Sequence, residues 1–298
     1  MAIQTVKVTL NGTEHTLEYN STTGKWEKTI TAPNTTSHNL TGGYYPVSVT
    51  ATNQAGTSNT ITDADNNALK LVVKEKLKPT ISVSTPSNNA FLSNSKPQIK
   101  FTVTDEEGGS GVDDSTITLK IDGTAVSGIT KTATTNGYTC TYTPSTALAD
   151  GAHSIVINAK DHDGNSATQV TRNFKVDTVP PTLNITSPQD GLITNNNKVT
   201  ISGVTNDVTS TTITVSIKVN NGTAVSATVN SDGTFSKEVT LADGANTVTI
   251  TAKDQANKTT TATLNIELDT STPQITNVTI TPNPVDAGAT MLIAVEVS

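Results

Sequence analysis

Very little in this sequence belongs to the usual equipment of catalytic, redox or membrane proteins. One cysteine, Cys140, rules out an intrachain disulfide, so stability must come from packing and backbone pairing. With Tyr138 and Tyr142 on its strand face and no basic partner nearby in sequence, Cys140 reads as a small buried hydrophobe rather than a nucleophile. Aromatic residues make up 3% of the chain and apolar residues 33%, which suits several thin cores and not one large globule. No apolar run approaches the roughly 18–20 residues of a membrane-spanning helix, so no membrane partner is expected. Basic residues number 19 against 26 acidic ones, a net charge of −7 with no clustered positive face, which argues against nucleic acid as a partner. The start, Met1 to Thr5, has neither the basic residues nor the apolar stretch of a secretory leader.

The chemistry sought in motifs is missing in the same way. His15, His38, His153 and His162 lack the spacing of a zinc or general-base constellation, and His15 and His153 read as surface or edge positions on strands. There is no Gly-x-Ser-x-Gly elbow, phosphate loop or dinucleotide fingerprint. The carboxylates Asp105-Glu106-Glu107 and Asp113-Asp114 invite a glycosidase reading, but that chemistry needs two carboxyls facing each other across a cleft. The expectation is a protein that is not an enzyme, with no catalytic, cofactor-binding or metal residues.

What is abundant is threonine, serine, asparagine, valine and isoleucine, a strand-forming mixture. The chain also repeats itself. Leu148-Ala149-Asp150-Gly151-Ala152 recurs as Leu241-Ala242-Asp243-Gly244-Ala245, and Ala159-Lys160-Asp161 recurs at the same interval as Ala252-Lys253-Asp254. Gly123 to Ser127 returns as Gly222 to Ser226, and Thr178 to Pro181 matches Thr270 to Pro273 at a junction. Apolar residues alternate along Ile155, Ile157, Ala159, along Val248, Ile250, Ala252, and along Val47, Val49, Ala51, which predicts strands with one inward face. A fourth run, Ile213 to Val219, ends in Asn220-Asn221-Gly222, and Asn11-Gly12 and Asp122-Gly123 hold the equivalent hairpin position.

Tyr44-Tyr45-Pro46-Val47-Ser48-Val49-Thr50-Ala51-Thr52-Asn53-Gln54-Ala55-Gly56 resembles the sixth strand of fibronectin type III and immunoglobulin-like domains. Gly108 to Asp113, the Ala-Lys-Asp strand ends and the Asp-Thr junctions before proline are similar to bacterial immunoglobulin-like domains. The resemblance implies an all-β fold of tandem immunoglobulin-like β-sandwiches in an elongated rod. It makes Tyr45 the counterpart of the family's corner tyrosine, a place taken in the later repeats by His153 and Asn246. Trp26, aligned with Phe235, reads as a core anchor, and the frequent Asn-x-Thr triplets, such as Asn11 to Thr13, as a by-product of composition.

The predicted organisation is 1–76, an immunoglobulin-like domain lacking its first two strands; 77–177 and 178–269, two further domains; and 270–298, a partial domain supplying two opening strands. Three readings stand for that tail: a truncated fourth domain, strands donated head to tail to another chain, or a fold-back within the chain. No cofactor is expected. Calcium is the one ion with an argument, at Asp161-His162-Asp163-Gly164-Asn165 near Asp177, against the plainer reading of strand-end turns; Asp254-Gln255-Ala256-Asn257 drops the second acid. The function implied by the resemblance is a spacer or adhesion module on a phage or prophage virion, or outside the cell, displaying or weakly binding bacterial surface glycan or protein. The alternative is part of a Gram-positive surface adhesin or of a secreted polysaccharide-degrading enzyme. A binding face would draw on Tyr44, Tyr45, Tyr138 and Tyr142.

Overall fold

The computed structural model describes residues 2–298 and divides into two compact units, one ending at Val176 and one beginning at Asp177. Regular structure is almost wholly strand, as the alternating apolar positions require.

The first unit opens with β1 (Ile3–Leu10), β2 (Thr13–Thr16), β3 (Glu18–Asn20), β4 (Lys25–Glu27), β5 (Tyr45–Asn53), β6 (Ser58–Ile61) and β7 (Lys70–Leu71). β2, β1, β5 and β6 form a sheet in that order, with β7 also on β5, whereas β3 and β4 pair only with each other. Asn11 and Gly12 make the β1–β2 turn at φ 50° and 73°, the left-handed conformation that Asx-Gly supplies cheaply. Val47, Val49 and Ala51 alternate as predicted but are only half-buried. The reason lies on the facing side. Trp26 is half-buried on the isolated β3–β4 hairpin, 5.7 Å from the ring of a largely exposed Tyr19. Trp26 therefore does not sit in a sealed core as Phe235 does, and among the described residues no further strand pairs with its hairpin.

The rest of the unit is a complete two-sheet sandwich. Its strands are β8 (Thr80–Thr85), β9 (Ala90–Leu92), β10 (Ile99–Thr104), β11 (Val112–Ile121), β12 (Thr124–Ala125), β13 (Thr130–Thr134), β14 (Gly137–Tyr142), β15 (Gly151–Asp161) and β16 (Val170–Val176). One sheet runs β13-β14-β10-β8 and the other β12-β11-β15-β16-β9, with β9 parallel to β16. Ile99, Phe101, Val103 and Cys140 from the first sheet meet Leu119, Ile155, Ile157 and Phe174 from the second, all sealed from solvent. Fully burying each of the larger ones is worth about 1.5–3 kcal/mol.

The second unit repeats the plan with β17 (Thr182–Ser187), β18 (Leu192–Thr194), β19 (Lys198–Asn206), β20 (Thr214–Val219), β21 (Val225–Val229), β22 (Thr234–Thr240), β23 (Gly244–Lys253) and β24 (Thr259–Leu268). Here β21 pairs with β20 through Val225 to Ala227 and with β22 through Thr228 and Val229, joining both sheets into one hydrogen-bonded surface. Ile201, Val215, Ile217, Phe235, Val248, Ile250 and Ile266 fill the core. Two last strands, β25 (Ile275–Thr281) and β26 (Leu292–Val297), form a hairpin whose apolar residues Ile280, Ile293 and Val295 are exposed.

Candidate functional site

The residues with unusual environments gather where strand β5, β15 or β23 ends and turns. The third residue of each Ala-Thr-Asn or Ala-Lys-Asp motif folds that turn over the same way. Oδ1 of Asn53, Asp161 and Asp254 accepts the backbone N–H four residues on, from Thr57 (3.0 Å), Asn165 (2.7 Å) and Lys258 (2.8 Å). This is the strand-end turn read from the sequence. In the second sandwich the other oxygen of Asp161 is taken as well, by the Asn165 side-chain amide at 2.8 Å. Asp163 Oδ2 accepts from Thr36 Oγ1 at 2.6 Å and from the Glu75 N–H at 2.9 Å. The loop that sequence singled out for calcium therefore spends its carboxylates on protein donors.

Those bonds tie the first sheet to the sandwich beside it within the same unit. Lys74 Nζ donates to the Asp163 carbonyl at 3.2 Å, and Asn39 Nδ2 to the Gly109 carbonyl at 2.6 Å. His38 and His162, far apart in sequence, stack with ring centroids 4.6 Å apart and planes 9° from parallel. Buried Ser37 bonds both the Gly43 and Val73 carbonyls and accepts from the Val73 N–H, holding the loop before β5 against the segment after β7.

Two groups of acids lie at the sandwich ends. Glu75, Asp105 and Glu106 form the first. Ser110 N–H donates to Glu75 Oε1 at 2.5 Å and Gly111 N–H to Asp105 Oδ2 at 2.8 Å. The neighbouring Glu75, then burial and Asp105, push the Glu106 carboxyl up to about 7. Asp177, Asp207 and Asp254 form the second group, wholly inside the second unit. Asp177 is 0% exposed and Asp254 5%. Asp177 Oδ2 accepts from Ser210 Oγ, and Asp207 Oδ1 from the Thr209 and Ser210 N–H groups at 2.8 and 2.7 Å. Burial, then the charges of Asp177 and Asp207, raises the Asp254 carboxyl above its ordinary range.

Of the four tyrosines proposed for a binding face, Tyr44 and Tyr45 line one groove and Tyr142 another. Tyr138 and Tyr142 pack against the second sandwich's core. Tyr45 is buried, its hydroxyl 2.6 Å from Thr35 Oγ1 and donating to the Thr35 carbonyl at 3.2 Å, as a corner tyrosine would. Tyr44 lines a cavity of about 550 Å³ with Leu40, Pro46, Asn11 and Asp63; its hydroxyl donates to Asp63 Oδ2 at 2.8 Å, and Lys70 Nζ sits 5.3 Å from its ring. His153 departs from the surface position expected of it: its side chain is 10% exposed and both ring nitrogens are bonded. Cys140 lies buried opposite Phe101.

The architecture is that of tandem immunoglobulin-like β-sandwiches. Residues 79–157 match the family model of the bacterial Ig domain, and residues 181–270 that of glucodextranase domain B. Among solved structures, the fibronectin(III)-like modules of Clostridium thermocellum CbhA align at 19% identity over 63% of this chain and 94% of theirs, with a TM-score of 0.42. Sidekick-1 immunoglobulin domains 1–5 align at 12% identity over 99% of this chain and 60% of that one, TM-score 0.38. The Bacteroides ovatus mixed-linkage glucan protein SGBP-B aligns at 15% over 94% of this chain and 66% of its own, TM-score 0.22. No curated protein matches the sequence.

Proposed function

We propose that the chain is a non-catalytic spacer and binding module displayed outside a bacterial cell or on a phage particle. In this reading residues 1–76, 77–177 and 178–269 are its sandwiches, and 270–298 opens a further one. The observation that carries the spacer role is the set of bonds converging on Asp163 from Thr36, Lys74 and Glu75, which replaces a free linker by a fixed joint. Replacing Asp163 by Ala removes two side-chain bonds at once. Limited proteolysis should then cut within residues 71–78 at least tenfold faster than in the parent, with the sandwiches intact. Equal cleavage rates in both proteins would reject the stiff joint.

The binding role is supported by the Tyr44 groove, an aromatic face flanked by Asp63 and Asn11, the mixture that takes up a sugar ring by stacking and hydrogen bonding. Its ligand in this reading is a neutral bacterial surface glycan. Affinity electrophoresis in cell-wall polysaccharide should retard the parent and not Tyr44→Ala. Equal mobility of the two in every polysaccharide rejects the groove as the site.

A second reading is favoured by the exposed apolar side chains of β25–β26 together with the uncovered β3–β4 hairpin. Exposed apolar surface of this kind marks an interface, and the occupant proposed is a second copy of the chain. Sedimentation velocity at rising concentration should reveal association, abolished by Ile293→Asp with Val295→Asp. A single monomeric species throughout would discard it.

A further inference from the structure

Three carboxylates in the second unit each spend one oxygen on the protein and turn the other toward the same point. Asp177 enters from the segment before β17, Asp207 follows β19 and Asp254 follows β23. Their ligand oxygens all lie within 4.8 Å of one another. Asp177 Oδ1, Asp207 Oδ2 and Asp254 Oδ2 are sealed from solvent and have no hydrogen-bond partner. Among the described residues no lysine, arginine or histidine forms an ion pair with any of the three; the unit's Lys198–Glu238 pair involves none of them. Nearly buried carboxylates with bare oxygens are costly unless something positive meets them.

We propose that Asp177, Asp207 and Asp254 hold one hard divalent cation, Ca²⁺. Oxygens bound to one calcium at about 2.4 Å stand no more than about 4.8 Å apart, and the three oxygens here lie within that limit. An all-carboxylate set without imidazole or thiolate selects against zinc and copper. The bonds already made serve as the supports of such a site. Ser210 Oγ holds Asp177, the Thr209 and Ser210 amides hold Asp207, and the Lys258 amide holds Asp254, each through the oxygen that faces away from the ion.

In the neighbouring sandwich the aspartate that corresponds to Asp254 is closed off. There the equivalent of Lys258 is Asn165, whose side-chain amide occupies the second oxygen of Asp161. Glu75, four residues before the proline that opens its sandwich as Asp177 is, groups with Asp105 and Glu106 and not with Asp161. Lysine at 258 has no side-chain amide to offer, so beyond its backbone N–H to Oδ1 nothing reaches Asp254 Oδ2, which stays bare.

Calorimetric titration of the whole chain with CaCl₂, and its thermal unfolding in CaCl₂ and in EDTA, test the assignment. The second unit's transition should rise by on the order of 5–10 °C at a hundredfold excess over Kd. Asp207→Asn and Asp254→Asn keep the Oδ1 acceptor and remove one negative charge. In EDTA they should melt at or above the parent, since repulsion among the three is relieved; in calcium they should lose the gain and one bound ion. A residue needed only for structure would lower the melt in both buffers. Absence of any calcium response in the parent up to about 10 mM, or a full response retained in both variants, overturns the proposal.

Discussion

His153 and Asn246 stand at the same corner of successive sandwiches, and each bonds the carbonyl four residues before it. His153 Nε2 lies 2.8 Å from the Ala149 carbonyl, and Asn246 Nδ2 donates to the Ala242 carbonyl at 2.7 Å. Their partners across the hairpin correspond too: Asp122 lies 2.7 Å from His153 Nδ1, and Asn220 Nδ2 donates to Asn246 Oδ1 at 3.0 Å. One corner is ionic and the other neutral.

That difference makes the first unit respond to pH. Burial alone would lower the His153 pKa, but the bonds to Ala149 and Asp122 outweigh it and raise it above 6.5. A raised histidine stabilises the fold fully below its unfolded pKa, and the contribution is lost as pH climbs through the folded one. The first unit's melting temperature should therefore fall between about pH 6.5 and the higher folded value. His153→Asn with Asp122→Asn, the pair used in the third repeat, should flatten that part of the curve; an unchanged slope would count against the assignment.

Glu106 acts in the same direction at lower pH. With its carboxyl pushed up from 4.5 to about 7, its contribution is complete below pH 4.5 and gone once pH passes about 7. Glu106→Gln keeps a donor for Glu75 without the titration. The variant should be the more stable protein above pH 7, measured by urea unfolding, and a less stable variant there would disprove the raised carboxyl.

Cys140 should be silent in the native protein. Burial pushes its thiol up to about 11, leaving very little thiolate near neutrality. Iodoacetamide at pH 8 should label it only after denaturation, and mass spectrometry would read one added group per unfolded chain. Rapid labelling of the folded form would contradict its place opposite Phe101.

Gly203 is required by a close approach. A Cβ there would lie 2.5 Å from the Asn184 carbonyl and 2.6 Å from Phe235 Cζ, which covers the glycine from the neighbouring strand. Gly203→Ala should cost about 1–3 kcal/mol by chemical denaturation. Adding Phe235→Leu should fail to restore stability, because the carbonyl contact with Asn184 remains.

Strand positions were legible because they repeat with period two and one face is buried. Ile155, Ile157 and Ala159, and Val248, Ile250 and Ala252, all lie in the cores as predicted. The hairpins were readable from Asx-Gly, with one shift: in the third repeat the positive φ falls on Asn220 (49°), not at Gly222. What sequence could not deliver was convergence. Asp207 sits in Thr205-Asn206-Asp207-Val208, which has no motif, and it meets Asp177 and Asp254 only once three separate segments are folded. The Asp161–Asn165 loop had the more suggestive spacing, yet its amide and backbone donors satisfy the acids locally. Trp26 failed as a core residue for a related reason: alignment with Phe235 carries the position but not the pairing of its strand, since β22 lies between β19 and β21 whereas β4 pairs with β3.

The short β9 and β18 run parallel to β16 and β24, so in each complete sandwich a strand near the beginning lies alongside the last one. Tension applied between the two ends of such a sandwich slides these strands past each other, and the bonds joining Ala90–Leu92 to Phe174–Val176, or Leu192–Thr194 to Ile266–Leu268, share the load together. A tethered module pulled by flow or by a moving cell resists through that shear instead of unzipping one bond after another.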